Sequence, residues 1–188
     1  MQTKEVKEEI QRLLSQKERV IIAVEGGSAA GKTTLGKELE QEFGCSVLHM
    51  DDFFLRPEQR TRERLEEPGG NVDRERFYEE VVIPLQKGEP VEYRPFDCTT
   101  LTIQPSKVLS LEKLIVVEGA YSTHPELGRY YDLSVFMDIE PELQRERIVK
   151  RNGSEKAKLF FERWIPMEQT YFEVMKVKER CDMILSVR

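Results

Sequence analysis

Val6, Ile10, Leu13 and Leu14 are spaced for one apolar helical face and predict a helix from about Lys4 to Leu14. Val20-Ile21-Ile22-Ala23-Val24 is a short β-branched run closed by glycines, the pattern of a strand buried on both faces. A helix is expected from Lys32 to about Phe43, stopped by Gly44, and then a strand from Ser46 to Met50. Asp51 to Asn71 carries Pro57, Pro68 and Gly69-Gly70 and predicts a loop with a short helical turn. Asp73 can cap a helix to about Leu85, and Gly88-Glu89-Pro90 marks a turn. Val91–Tyr93 and Thr100–Ile103 are expected to pair as a small ribbon. Leu114–Val117, Leu133–Met137 and Met183–Leu185 predict three further strands. A helix with Pro141 in its first turn should run to about Arg151, break at Asn152-Gly153, and resume from about Lys156 to Val177. This alternation predicts an α/β fold whose five core strands form a mainly parallel sheet.

Composition narrows the function classes. A length of 188 residues suits one domain, 1–188, with at most a small lid or insert. The 29 basic and 35 acidic residues give a net charge of −6, which argues against a nucleic-acid surface and confines any anion site to a local feature. The longest apolar run falls far short of the roughly 20 residues that span a bilayer, and the amphipathic start is not a signal peptide, so no membrane association and a cytoplasmic location are expected. Three dispersed cysteines, Cys45, Cys98 and Cys181, suggest neither a disulfide framework nor a zinc site. Two histidines leave little room for a Ser-His-Asp hydrolase. No partner protein is indicated, and homo-oligomerisation stays open.

Gly26-Gly27-Ser28-Ala29-Ala30-Gly31-Lys32-Thr33 fits G-x-x-x-x-G-K-[ST] at every fixed position, between a predicted strand and a predicted helix. With glycine at about 7% of residues, a chance match in such a chain has odds on the order of one in a hundred. Polyphosphate binding by the turn, from Gly26 through Thr34, is therefore expected whatever the family. Loop amides and the helix dipole would meet the phosphates, Lys32 would neutralise charge, and the Thr33 hydroxyl would ligate Mg²⁺. Asp51-Asp52 follows the second strand, where a parallel sheet presents ligand-binding residues; one carboxylate could be a general base, the alternative being a capped, solvated turn. Glu118 closes the third core strand and could orient Mg²⁺, or simply face solvent. Arg147 and Arg151 share a helix face and could close over a transferring phosphoryl group, or form a solvated face with Glu142 and Glu146.

Taken together, these residues resemble the uridine kinase-like branch of P-loop kinases, a group that also includes nicotinamide riboside kinase, pantothenate kinase and phosphoribulokinase. The similarity covers nearly all of the chain beyond the first helix. Asp51-Asp52-Phe53-Phe54 is similar to the family's Asp-Asp-Phe-Phe element, which implies Asp51 as catalytic base. Asn71-Val72-Asp73 resembles its Asn-Phe-Asp element, implying that Asp73 holds sugar hydroxyls. Val117-Glu118-Gly119 matches its Val-Glu-Gly strand end, Arg147 to Asn152 partly keeps its lid pattern, and Arg163-Trp164 stands where a substrate-facing Gln-Tyr is found. The resemblance implies a P-loop NTPase fold with an acceptor insert at about 53–112 and a lid at about 147–165. It also implies ATP and Mg²⁺ as cofactors, with Thr33 and Glu118 as the metal-binding pair.

The implied activity is phosphoryl transfer to a small-molecule hydroxyl, most readily that of a nucleoside, the alternative being another vitamin or sugar. The expected acceptor-contacting set is Asp51, Asp52, Phe54, Arg56, Asp73, Tyr93, Phe96 and Arg163. Where uridine kinases carry a His and an Arg serving the pyrimidine, this chain has Leu101 and Ile103, so uracil cannot be read in the family's way. Arg94, Arg163 or Arg56 is then expected to read a different, anionic acceptor. A GTPase switch would need Asn-Lys-x-Asp, which is absent. A non-catalytic nucleotide binder fits poorly with intact Lys32, Thr33, Asp51 and Glu118. A nucleoside monophosphate kinase would need no carboxylate base.

Overall fold

The computed structural model describes residues 2–188. It opens with α1 (Gln2–Leu14), β1 (Val20–Gly26), α2 (Lys32–Phe43) and β2 (Ser46–His49). Gly44 stops α2 as expected: its φ of 64° is left-handed, and its N–H returns to the Glu40 carbonyl.

An excursion from the sheet follows. It contains α3 (Arg62–Glu66), then α4 (Arg74–Phe77) and α5 (Ile83–Lys87) joined by a π-helical turn over Tyr78–Val82, and four short strands. These are β3 (Val91–Tyr93), β4 (Phe96–Asp97), β5 (Thr102–Ile103) and β6 (Lys107–Leu109). The sheet resumes with β7 (Leu114–Glu118) and β8 (Leu133–Ile139). After them come α6 (Pro141–Leu159), a π-helical turn over Phe160–Trp164, α7 (Ile165–Val174), α8 (Val177–Arg180) and β9 (Met183–Val187).

The five long strands form one sheet in the order β2-β7-β1-β8-β9, and every pairing is parallel. Alternate residues divide its two faces. Val20, Ile22, Val24, Val116 and Val135 pack on one side against Val6 and Ile10 of α1 and Leu35 and Leu39 of α2. Leu48, Ile115, Val117 and Phe136 pack on the other against Phe53, Phe77, Tyr171 and Phe172. Burying each such aliphatic side chain contributes about 1.5–3 kcal/mol, so both faces are needed to hold the sheet. Among the described residues no helix is long and apolar enough to cross a membrane.

Three expectations are corrected. Val91–Tyr93 pairs with Lys107–Leu109, and Thr102–Ile103 pairs with Phe96–Asp97, so the two expected ribbon strands do not pair with each other. Pro95 and Pro105 lack the N–H a continuous ladder needs and split the hairpin into two pieces. Its tip is held by Asp97, whose Oδ1 accepts the Thr99 N–H at 2.7 Å, and by Leu101 in the left-handed region at φ 57°. The segment 51–71 is more helical than a loop: 3₁₀ turns cover Met50–Phe53 and Pro57–Gln59, and the Thr61 hydroxyl caps α3 by accepting from the Arg64 N–H. The second C-terminal helix stops at Val174 rather than Val177, where Lys176 turns left-handed at φ 49°. The expected break in α6 is present at Gly153, φ 77° and ψ 159°.

Candidate active site

The phosphate loop begins where β1 meets its neighbours. Gly26 has φ 139°, and a Cβ there would lie 2.6 Å from the Met137 carbonyl oxygen of β8, so only glycine fits. Ala29 at φ 61° and Gly31 at φ 102° wrap the chain tightly into α2. The first N–H groups of α2 have no intrahelical partner and stand at the positive end of its dipole. Lys32 arches over the turn, its Nζ donating to the Gly26 carbonyl at 2.8 Å and the Gly27 carbonyl at 2.9 Å.

The C-terminal helices brace this turn. Glu168 of α7 accepts the Ser28 N–H at 2.8 Å and the Ser28 hydroxyl at 2.7 Å. Gln144 Nε2 donates to the Ser28 carbonyl at 2.9 Å, and Arg147 Nη1 to the carbonyls of Ala29 at 3.2 Å and Ala30 at 3.4 Å. Burial pushes the Glu168 carboxyl up, with Lys32 and the Ser28 donors opposing it. Beneath the turn, Glu25 is fully buried and has donors alone as partners: Oε1 takes the N–H of Gly26 and Tyr121, while Oε2 takes the Thr123 N–H and hydroxyl and the Tyr171 hydroxyl. Burial raises its pKa, and this ring of donors works against that rise.

Glu25, Gln144 and Glu168 were not singled out in the sequence. Glu25 had a signal, an ionisable residue in an apolar run just before the motif. Glu168 had none, since its partner lies 140 residues away.

Strand order sets the rest. β7 lies between β1 and β2, and its last residue, Glu118, is in register with Val24 on one side and His49 on the other. Glu118 Oε1 accepts the Thr33 hydroxyl at 2.9 Å and His49 Nδ1–H at 2.6 Å. Burial would push Glu118 up, but the His49 bond, Lys32 and Thr33 outweigh it and hold its carboxyl below the usual range. The same bond raises His49. Among the described residues no three His, Cys, Asp or Glu side chains converge as a metal cage. A hydroxyl and a carboxylate side by side nonetheless form an oxygen donor pair suited to Mg²⁺, which keeps water and phosphate as its other ligands.

Asp51 follows β2 in the 3₁₀ turn. Its carboxyl opens into the cleft yet is walled by protein; that burial raises its pKa, Glu118 and Asp52 add to the rise, and Lys32 and His49 oppose it. One cavity of about 1080 Å³ joins Asp51 to the loop residues 28–34 and to Glu118, and Phe54, Arg147 and Arg151 also line it. Arg151 is exposed, with its guanidinium 5.5 Å from the Phe160 ring.

Other expected residues lie outside this cavity. Asp73 is buried and committed within the fold: it caps α4 through the Arg76 N–H, pairs with the Arg76 guanidinium at 3.4 Å and accepts Gln59 Nε2 at 3.0 Å. With Arg56 it lines a separate cavity of about 270 Å³. Tyr93 stacks on Phe53 at 5.6 Å, and burial together with Asp52 pushes its hydroxyl up to about 12. Phe96 is core, and the exposed Arg163 lies over Trp164 at 4.7 Å. Of the arginines expected to read an anionic acceptor, Arg94 is bonded to Glu80 and Arg56 to Glu58.

Known proteins are similar to this chain in sequence and in fold. The uridine kinase of Shewanella frigidimarina is 28% identical over 164 residues, covering 77% of this chain and 74% of that protein. The uridine kinase of Geobacillus kaustophilus is 28% identical over 153 residues, covering 77% and 72%. A solved structure from Bacillus stearothermophilus, described as a possible uridine kinase, superposes with a TM-score of 0.69 at 22% identity, over 96% of this chain and 99% of that one. The sequence also matches the phosphoribulokinase / uridine kinase family across residues 21–158. That span runs from β1 into α6 and takes in the phosphate loop, Asp51, Glu118 and Arg147, and on its strength the chain belongs to the phosphoribulokinase / uridine kinase family and is a small-molecule kinase.

Proposed function

We propose that the chain transfers the γ-phosphoryl group of Mg·ATP to a hydroxyl of a small metabolite. The observation that carries this is the single cavity lined by both the phosphate loop and Asp51. When bound, Mg·ATP supplies the transferable phosphoryl group. The Ser28 and Ala30 N–H groups hold the turn itself together. The loop amides left free by these contacts, with the first N–H groups of α2 at Lys32, Thr33 and Thr34, and the Lys32 ammonium would bind the phosphates. Thr33 with Glu118 would hold the metal through oxygen donors. His49 keeps Glu118 ionised and oriented.

Asp51 accepts the acceptor's hydroxyl proton as the oxygen bonds to phosphorus, and ADP leaves. Its raised pKa suits this role, since a base nearer the working pH both stays ionised and drives proton transfer. Arg147 and Arg151 offset charge on the transferring group. The segment 147–165 acts as the lid that excludes water, and 53–112 forms the acceptor side of a single domain. We place the reaction in the cytoplasm.

The relatives' names make uridine, a nucleoside, the first acceptor to test. The experiment is a coupled ADP-release assay across nucleosides, vitamins and sugars, run beside Asp51→Asn. Acceptor-dependent ADP formation that the variant loses while still binding Mg·ATP supports the proposal. Turnover unchanged by the variant removes Asp51 from the base role.

A further inference from the structure

Seven arginines lie in the segment 53–112. Six are paired with a carboxylate: Arg56 with Glu58, Arg62 with Glu66, Arg64 with Glu75, Arg74 with Glu126 and Glu67, Arg76 with Asp73, and Arg94 with Glu80. Arg60 forms no ion pair among the described residues, and it is the one of the seven that lines the large cavity. Its Nε donates to the Leu55 carbonyl at 2.9 Å and its guanidinium lies 5.7 Å from the Phe96 ring, so two contacts fix its direction. The terminal Nη groups are left as a planar fork, the geometry that binds a carboxylate or phosphate through two parallel hydrogen bonds.

Its neighbours place this cation at the Asp51 end of the cavity. Cys98 lines the same wall, and its thiol feels both the Asp51 carboxylate and the Arg60 charge. Phe54 and Leu101 complete that wall without donors or acceptors, while Asn71 supplies an amide. The charged group that sets this end of the cavity apart is one guanidinium with no carboxylate partner among the described residues. It fits a small hydroxylated anion. The cation has a second use there, because Asp51 and Glu118 would otherwise repel a negatively charged acceptor.

Resting on the kinase reading above, we propose that the acceptor carries a carboxylate or phosphate bound by Arg60, which sets acceptor specificity. The test uses sets differing in the anionic group: glycerol, glycerate and glycerol 3-phosphate; ribose, ribonate and ribose 5-phosphate; and uridine as the neutral nucleoside. Turnover is measured by coupled ADP release. Binding is measured by calorimetry with a non-hydrolysable ATP analogue present, so an unreactive acceptor is still detected.

The expected result is that at least one anionic member binds and exceeds its neutral counterpart by tenfold or more in kcat/KM. The carboxylate and phosphate arms tell which anion is preferred. Arg60→Gln should raise KM for that member at least tenfold with KM for ATP unchanged, and Arg60→Lys should restore only part of the loss. The proposal is overturned if no anionic member binds, if neutral members are used equally well, or if Arg60→Gln leaves the preference intact. Efficient use of uridine would overturn it and leave the kinase reading standing, whereas failure of Mg·ATP itself to bind would bring down the kinase reading.

Discussion

Glu168 Oε2 accepts the backbone N–H of Ser28 at 2.8 Å, joining the last long helix to the phosphate loop across 140 residues of sequence. The bond reaches directly into the turn, and Ser28 adds its hydroxyl to the other carboxylate oxygen. Glu168→Ala would leave both donors unpaired in a largely buried position, at a cost of about 1–3 kcal/mol. Urea unfolding should show that loss, and KM for ATP should rise severalfold as the turn loosens. Glu168→Gln can still accept the N–H and should recover most of the stability. An alanine variant with unchanged KM for ATP would show that α7 does not shape the loop.

Asp51 governs the low-pH side of the proposed reaction. Its raised pKa means that the ionised base is lost as pH falls through a value above the usual aspartate range of about 3.9. A pH profile of kcat should therefore drop on its acid side earlier than an ordinary aspartate would dictate. Asp51→Asn should lower kcat by about 10²–10⁴-fold and abolish that acid limb, with nucleotide affinity kept. An unshifted acid limb in the variant assigns the titration to another group.

Glu25 predicts a stability effect separate from chemistry. Its ring of donors has no place for an amide N–H₂, so Glu25→Gln sets a donor against a donor and strands at least one buried group. About 1–3 kcal/mol of destabilisation is expected by denaturant titration. A neutral effect would mean that the buried carboxyl already carries a proton in the native protein.

The His49–Glu118 pair predicts a stability difference that depends on pH in a fixed direction. His49 has its pKa raised in the fold by the Glu118 bond, so its contribution is fully present below the unfolded value of about 6.5 and disappears as pH rises through the folded value. The difference in Tm between the parent and His49→Gln should be larger at pH 6 than at pH 9. A difference that grows with pH would overturn the pairing.

Local rules made the centre of this protein legible. The strand Val20–Val24, the glycine-lysine turn and the helix stopped by Gly44 are contiguous in sequence, and each is specified by its own residues. The same holds for the five core strands, and for Asp51 and Glu118, which a parallel sheet delivers to one edge. What escaped was long-range pairing. Pro95 and Pro105 decide which ribbon strands meet, and Glu168 has meaning only beside Ser28. The arginines of the excursion look alike in sequence; only packing shows that Glu58 and Glu80 pair with Arg56 and Arg94 while Arg60, without a carboxylate partner among the described residues, lines the large cavity. Asp73 likewise shows in sequence as a helix cap, while its bonds to Arg76 and Gln59 and its place on the wall of the smaller cavity come only from packing.

Strand order β2-β7-β1 separates what must stay constant from what can vary. Lys32, Thr33 and Glu118 are anchored to neighbouring central strands, where a shift in one disturbs the whole ladder. Arg60 and Leu101 ride on the excursion between β2 and β7, which packs Phe53 and Phe77 against one face of the sheet while the Arg60 and Leu101 side chains stay outside both core clusters. Substitutions at Arg60 and Leu101 therefore touch no residue of either sheet face, so the proposed acceptor wall can change while the strands that carry the phosphate loop keep their packing.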